Sequence, residues 1–315
     1  MDAFTFIPQW IIQDIIVLLM AVIGIIFIVK NEENPVSILL EFICFIFLYA
    51  AVYENFATVL GLYGFGKSIV MVFNVPITIP VIEYLVVYTA IRFLSYIKMP
   101  TWTKPFIVGF MGMLFDFTLD PLALKQVFTT HEGVIGRWTW FIGSNDVHIF
   151  NAPVYNFPGW VLLCGYAAAF LLLGRWWLKK SGGNKIVAIA YPVLAMIAAL
   201  FVMVSPISQF LLWLGPIFSK GGVSEWIMLG VWFLVPTVLF LIYGRRYTKT
   251  ISIKKEYLIF LIYGLSHVVN LIFALIGQHY ILLPLIIGIG LLQNLILYLV
   301  YLRSKKPKYL YAKNI

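Results

Sequence analysis

Long apolar runs separated by short polar punctuation dominate the chain, at about 8–29, 37–60, 69–97, 105–124, 158–178, 186–214, 223–243, 257–276 and 280–302. Each reaches the roughly 20 residues an α-helix needs to cross a hydrocarbon core about 30 Å thick. The residue-by-residue alternation of a membrane β-barrel is absent, and inside a bilayer only helices and closed barrels satisfy their own backbone. The pattern therefore predicts an all-α, polytopic transmembrane helix bundle of about nine spans, forming a single integral-membrane domain over 1–315. Eight spans result if the short link Gly277-Gln278-His279 does not separate the last two runs. The runs at 69–97 and 186–214 are long, and Pro76, Pro80 and Pro206 predict kinks or displaced ends within them.

Composition sharpens this. The chain is 62% hydrophobic and 11% charged, against about 45–50% and about 25% for soluble domains, which excludes a soluble enzyme. A net charge of +9 invites a nucleic-acid reading, but the basic residues sit in loops beside apolar runs, where they act as topology signals. With the N-terminus outside, one face collects Lys30, Arg92, Lys98, Lys104, Arg175, Lys179, Lys180, Lys185, Arg245, Arg246, Lys249, Lys254, Lys255 and the basic tail from Arg303 to Lys313. The other face has Lys67, Lys125, Arg137 and Lys220. That split predicts a multi-pass protein of the cell membrane with its N-terminus out and its C-terminus cytoplasmic, surrounded by lipid and binding no nucleic acid. Cys44 and Cys164 both lie within apolar runs and imply neither a disulfide framework nor a zinc site. The first run lacks a basic flank and a cleavage pattern, so it reads as a retained span.

The informative residues are those that break the apolar pattern. Asp116 and Asp120 stand four apart, on one face of a helix. An aspartate near the bilayer centre costs roughly 2.5–3.5 kcal/mol on insertion scales, so two of them point to function. Pro121 predicts that the helix ends or bends directly after Asp120. Glu54 lies roughly 10 Å inside the same end of its span, at 1.5 Å per residue. Three acids at similar depth without a basic neighbour predict that at least one keeps its proton, since burial and like charges both disfavour ionisation. Asp14, Glu41 and Glu83 also interrupt apolar runs and read as structural, Asp14 as a residue wetted at the end of its span. His267, Asn270, Gln293 and Asn294 read as polar glue between the last spans. Neither metal-ligand spacing nor a nucleotide-binding loop is recognisable, because Gly61-Leu62-Tyr63-Gly64-Phe65-Gly66 lacks the strand-to-helix context such a loop needs.

The longest connection, 125–157, carries His131, Glu132, Arg137, Trp138, Trp140, Asp146, His148 and Asn151, then Tyr155-Asn156-Phe157-Pro158-Gly159-Trp160. Its length and aromatic content predict a packed lid or re-entrant segment over the aspartates. For Trp138 and Trp140 the competing reading is an interfacial aromatic belt. A short echo is also visible: Phe73-Asn74-Val75-Pro76-Ile77 recurs in type as Phe150-Asn151-Ala152-Pro153-Val154, each after an acid-bearing span. It suggests a parallel repeat of two hairpins around one site.

Taken together, these blocks resemble the integral-membrane carotenoid biosynthesis proteins that include carotenoid 1,2-hydratases and bisanhydrobacterioruberin hydratase. The resemblance covers roughly 50–165. It rests on Glu54 with Gly61 to Gly66, Phe73-Asn74-Val75-Pro76 with Pro80, Asp116-Phe117-Thr118-Leu119-Asp120-Pro121, Trp138-Thr139-Trp140, and Asn151-Ala152-Pro153 leading to Asn156-Phe157-Pro158-Gly159-Trp160. The chain departs from that pattern at Asn74 and Asn151, where glycine is usual, at Phe115 and Glu83, where tryptophan is usual, and at Ser68, where tyrosine is usual. The resemblance implies a cofactor-free, metal-free hydro-lyase that adds water across a terminal double bond of an acyclic carotenoid. Asp116 or Asp120 would protonate the alkene, with the other acid and Glu54 positioning water. Phe117, Trp138, Trp140, Asn151, Asn156 and Trp160 would contact the polyene. The helices of 186–315 stay without an assigned role. The competing expectations are another membrane isoprenoid enzyme, a cyclase or prenyltransferase, a proton-coupled transporter using the acids as a relay, and a non-catalytic pigment-binding protein.

Overall fold

The structure is a computed structural model that describes residues 8–130, 133–143 and 146–305. His131, Glu132 and the tail from Lys306 onward lie outside the described residues. Among the described residues nine helices are long and apolar enough to cross a membrane: α1 (Gln9–Asn31), α2 (Pro35–Val59), α3 (Thr78–Ser95), α4 (Thr101–Lys125), α5 (Asn156–Lys180), α6 (Lys185–Met203), α7 (Gly222–Tyr243), α8 (Tyr257–Ile276) and α9 (Tyr280–Ser304). They form an all-α, multi-pass membrane bundle. α3 and α4 are enclosed on nearly every side, whereas α7 and α9 lie on the outside. The last two runs are separate helices, joined by a tight turn in which Gln278 takes a left-handed conformation, φ 55°.

α4 packs most closely against α5, and glycines permit the approach. A Cβ built on Gly109 would lie 2.2 Å from the Val161 carbonyl oxygen, and one on Gly112 would lie 2.6 Å from Cys164 Sγ. The obstacle at Gly109 is backbone, which no rotamer change relieves. Gly109→Val is expected to destabilise the bundle by about 1–3 kcal/mol, the usual cost of overpacking. A thermal melt in detergent checks this against Gly230→Ala, because a Cβ on Gly230 meets nothing within 4 Å.

Three expectations about helix ends are corrected. α3 starts at Thr78 and not at residue 69, because residues 63–76 form short antiparallel strands instead of helix. α6 stops at Met203, and Pro206 opens a separate short helix, Pro206–Leu212, the position where proline's missing N–H costs nothing. Pro121 does not end α4, which continues to Lys125. The proline removes only the donor to the Phe117 carbonyl. The final turn is held by Leu122, buried among Phe273, Ala274, Leu282 and Ile286, and is closed by Gln126 N bonding Leu122 O at 3.2 Å.

The echo proves to be a repeated piece of backbone. Met71–Val72 pairs with Val75–Pro76, and His148–Ile149 pairs with Ala152–Pro153 in the equivalent register. Each hairpin turns on a phenylalanine in the left-handed region, Phe73 at φ 55° and Phe150 at φ 49°, and each leads into a helix, α3 or α5. Asn151 also sits at positive φ, 74°, a conformation that asparagine tolerates better than most residues. The connections after the two acid-bearing helices also join each other. Tyr63–Phe65 runs antiparallel to Trp138–Trp140, with Tyr63 opposite Trp140 and Phe65 opposite Trp138.

The remaining charges lock the frame. Arg175 on α5 donates to Glu41 on α2 through Nε (2.8 Å) and Nη2 (2.5 Å), and the Tyr191 hydroxyl on α6 adds a third bond at 2.7 Å. Arg92 on α3 bridges Glu256 at 2.5 Å and Glu32 at 2.7 Å. Asp14 is not wetted as expected: it is buried, 3.0 Å from Arg137 and 2.9 Å from the Thr78 hydroxyl, and accepts also from Ser68. This cluster pins the 125–157 connection to α1, where Arg137 also donates to the Trp10 carbonyl at 3.2 Å.

Candidate active site

At the strand-covered end of the bundle, α2, α3 and α4 each contribute acids to one cavity of about 50 Å³. Glu54 comes from α2, Glu83 from α3, and Asp116 and Asp120 from α4. Tyr63, Phe65, Trp138 and Trp140 from the paired strands, and Asn156 and Trp160 from the start of α5, complete most of the wall. No Lys or Arg lines it among the described residues, since Arg137 is engaged by Asp14.

The α4 acids face the same way because they are one turn apart, and one amide holds both. Asn156 Nδ2 donates to Asp116 Oδ2 at 2.8 Å and to Asp120 Oδ2 at 2.9 Å. Asp120 receives two more donors, the indole N–H groups of Trp138 and, at 3.0 Å, Trp140. Strand alternation sends Trp138 and Trp140 to one face with Thr139 pointing away, which is how both indoles reach a single carboxylate. Among the described residues, Asp116 has Asn156 as its N–H donor. On the facing wall Glu54 accepts from the Tyr63 hydroxyl at 2.7 Å, and Glu83 lines the same small cavity. The aromatic rings form a continuous lining, with Tyr63 and Trp140 centroids 4.5 Å apart and Phe65 set edge-on to Trp138 at 5.8 Å.

The acid cavity has a neighbour on each side. A larger space of about 260 Å³ shares Glu54, Tyr63, Trp140, Asn156 and Trp160 with it and extends past Phe56, Leu60, Met203 and Leu212, between α2, α5 and the short helix. On the other side a space of about 50 Å³ shares Ile79, Ile82, Leu119 and Trp138 and is closed by Gln13, Met20, Thr78, Phe115, Asn270 and the Asp14-paired Arg137. The result is an elongated, mostly apolar slot with its carboxyl groups near the middle.

Of the residues singled out in the sequence, Glu54, Asp116, Asp120, Trp138, Trp140, Asn156 and Trp160 meet at this cavity. Two do not. Phe117 points into the core and stacks on Phe157, with centroids 4.0 Å apart and planes 8° from parallel. Asn151 is an exposed turn residue of the second hairpin. Sequence reasoning missed Tyr63 and Phe65, whose alternation was hidden in a glycine-rich segment, and it read Glu83 as structural. The signal for Glu83 was an acid deep in an apolar run with no basic residue within a helical turn. His267, Asn270 and Gln293 do act as glue, and their target is α4, whereas Asn294 donates to the Gly290 carbonyl of its own helix at 2.8 Å. His267 Nδ1 is 3.0 Å from the Thr118 hydroxyl and its Nε2 2.6 Å from Gln293 Oε1, while Gln293 Nε2 donates to the Met111 carbonyl at 2.9 Å.

No family model, curated protein or solved structure matches the chain.

Proposed function

We propose that the protein is a cofactor-free hydratase of the cell membrane that adds water across the terminal C=C of an acyclic carotenoid. The observation that carries the reading is the shared Asn156 amide, which joins two buried carboxyl groups of unequal hydrogen bonding in an aromatic cavity that no described Lys or Arg lines. Asp120, with three N–H donors, is held as the carboxylate. Asp116, with one, keeps an oxygen for a proton and is the acid. Its O–H bond breaks as the C–H bond forms at the less substituted alkene carbon, and the positive charge settles on the tertiary carbon. The faces of Trp138, Trp140 and Trp160 lower the energy of that cation, as aromatic rings do for other cations. Water then closes the C–O bond, with Asp120 and Glu54 positioning it. General acid catalysis of this kind contributes about 10²–10⁴-fold.

The slot fits a rod. The conjugated chain lies in the larger space, the reacting bond between the carboxyl groups, and the two terminal methyl groups in the small space beyond. Gly159 lines the larger space, and a Cβ there meets nothing within 4 Å. Gly159→Leu is therefore expected to fold normally and to lower kcat/KM for a polyene at least tenfold, through KM. Equal kinetics for the variant would place the substrate elsewhere. The positive-inside count orients the protein with its N-terminus out and C-terminus cytoplasmic, so the acid cavity sits in the outer half and the substrate enters from lipid.

Expression in a host that makes lycopene, followed by mass analysis of its pigments, tests the reading. A product heavier by one water supports it, and an unchanged profile with folded protein in the membrane opposes it. Four acids gathered in one buried cavity also suit a proton-coupled transporter, which would move a solute along a pH gradient and leave no hydrated pigment. A magnesium-dependent prenyltransferase would also need basic groups for a diphosphate, and no described Lys or Arg lines the acid cavity.

A further inference from the structure

The roles above leave one carboxyl group of the cavity without a task. Glu83 is 1% exposed and lines the same space as Asp116. Among the described residues no N–H or O–H group reaches its Oε2, and Glu54 shares the same cavity of about 50 Å³. Two carboxylates have acceptors only and repel each other, so two of them in one small buried cavity that no described Lys or Arg lines are stabilised by a proton held between them. Glu54 has Tyr63 to steady it. Glu83 comes from a different helix than the aspartates and has no such anchor, so it is the carboxyl of the four least committed to its surroundings.

We propose that Glu83 and Glu54 form a second carboxyl pair holding one proton between them, and that this pair, through Glu83, takes the proton released when water adds. The inference rests on the hydratase reading and assigns it the base that reading lacks. The balance is complete without a cofactor. Asp116 gives a proton to carbon and becomes a carboxylate. Water donates an electron pair to the tertiary cation, forming the C–O bond, and the resulting oxonium loses a proton to the singly charged glutamate pair, which becomes neutral. One proton passed from the glutamate pair to Asp116 across the cavity restores the starting state, so the net reaction consumes one water and no acid. Delivering the proton from α4 and removing it to α3 keeps the two jobs on separate groups, which a single acid pair would have to alternate between.

Two measurements on the full-length protein in lipid test this. The first is infrared spectroscopy in H₂O and D₂O, which detects the C=O stretch of a protonated, buried carboxylic acid. A shared proton predicts that Glu83→Gln and Glu54→Gln each alter the same deuterium-sensitive band. A band that stays put in Glu54→Gln overturns the pair. The second supplies lycopene in D₂O. Glu83→Gln is expected to cut hydration at least about 100-fold while deuterium still enters recovered lycopene, since Asp116 still protonates and the cation collapses back. Glu83→Asp is expected to recover part of the hydration, and Asp116→Asn to lose hydration and exchange together. Hydration at the wild-type rate in Glu83→Gln, or loss of exchange along with hydration in a variant that melts normally, overturns the base role. Wild-type protein that neither hydrates nor exchanges lycopene removes the base role together with the hydratase reading, and the infrared band then decides the pair alone.

Discussion

Asp116→Asn is expected to lower hydration of an acyclic carotenoid by about 10²–10⁴-fold, the contribution of a positioned general acid. The change is isosteric and keeps an acceptor oxygen for Asn156, whose amide now reaches Asp116 at 2.8 Å. It introduces no charge and creates no void, so the bundle should melt as the wild type does. Asp120→Asn should behave differently. Its amide would put N–H groups against the indole N–H donors of Trp138 and Trp140, so that variant should lose both activity and stability. Pigment conversion read alongside the melting temperature separates the two. Equal, mild losses in both variants would mean that the aspartates are not divided into an acid and a held carboxylate.

Arg175→Ala is expected to be the most destabilising single change in the bundle, by about 3–5 kcal/mol, because it strands a buried carboxylate. Glu41 is 0% exposed, and Arg175 supplies two of the three donors that satisfy it, the Tyr191 hydroxyl being the other. The pair joins α2, α5 and α6 far from the candidate site, so the loss should appear as unfolded protein in a detergent melt and not as altered chemistry in the fraction that remains folded. Replacing both partners by leucine should recover much of the stability, since apolar substitutes for a buried ion pair are often neutral or better. A single variant as stable as the wild type would show that Glu41 is neutral or hydrated in the bundle.

How much of this was legible in the chain depended on the range of the interaction. Nine spans follow from hydropathy, because a bilayer leaves a hydrophobic stretch of that length few alternatives. The ends of α3 and α6 did not follow. A strand of two to four residues, such as Met71–Val72, carries no periodicity of its own and looks like the edge of the next span. Pro121 misled for a related reason: its local cost is real, but Leu122 and its neighbours from α8 and α9 keep the last turn in place. Asp116 and Asp120 could be paired from spacing alone, being on one helix. The contacts that give them unequal roles come from distant residues, Trp138 and Trp140, which the strand pairing with Tyr63–Phe65 holds in place, and Asn156, which stands at the start of α5. Glu83 was visible as an anomaly, but Glu54, which shares its cavity, lies on another helix, so a structural explanation was the cheaper reading. Phe117 illustrates the opposite error. Lying between the two aspartates, it projects from a different side of α4 and stacks in the core.

The most direct test of the central claim uses purified protein in liposomes loaded with lycopene, in water enriched in heavy oxygen and without added metal or cofactor. The account predicts a hydroxylated product that carries the heavy oxygen, formed by the wild type and reduced at least about 100-fold in Asp116→Asn. Recovery of unchanged lycopene from folded wild-type protein, or a product whose oxygen does not come from water, would contradict it.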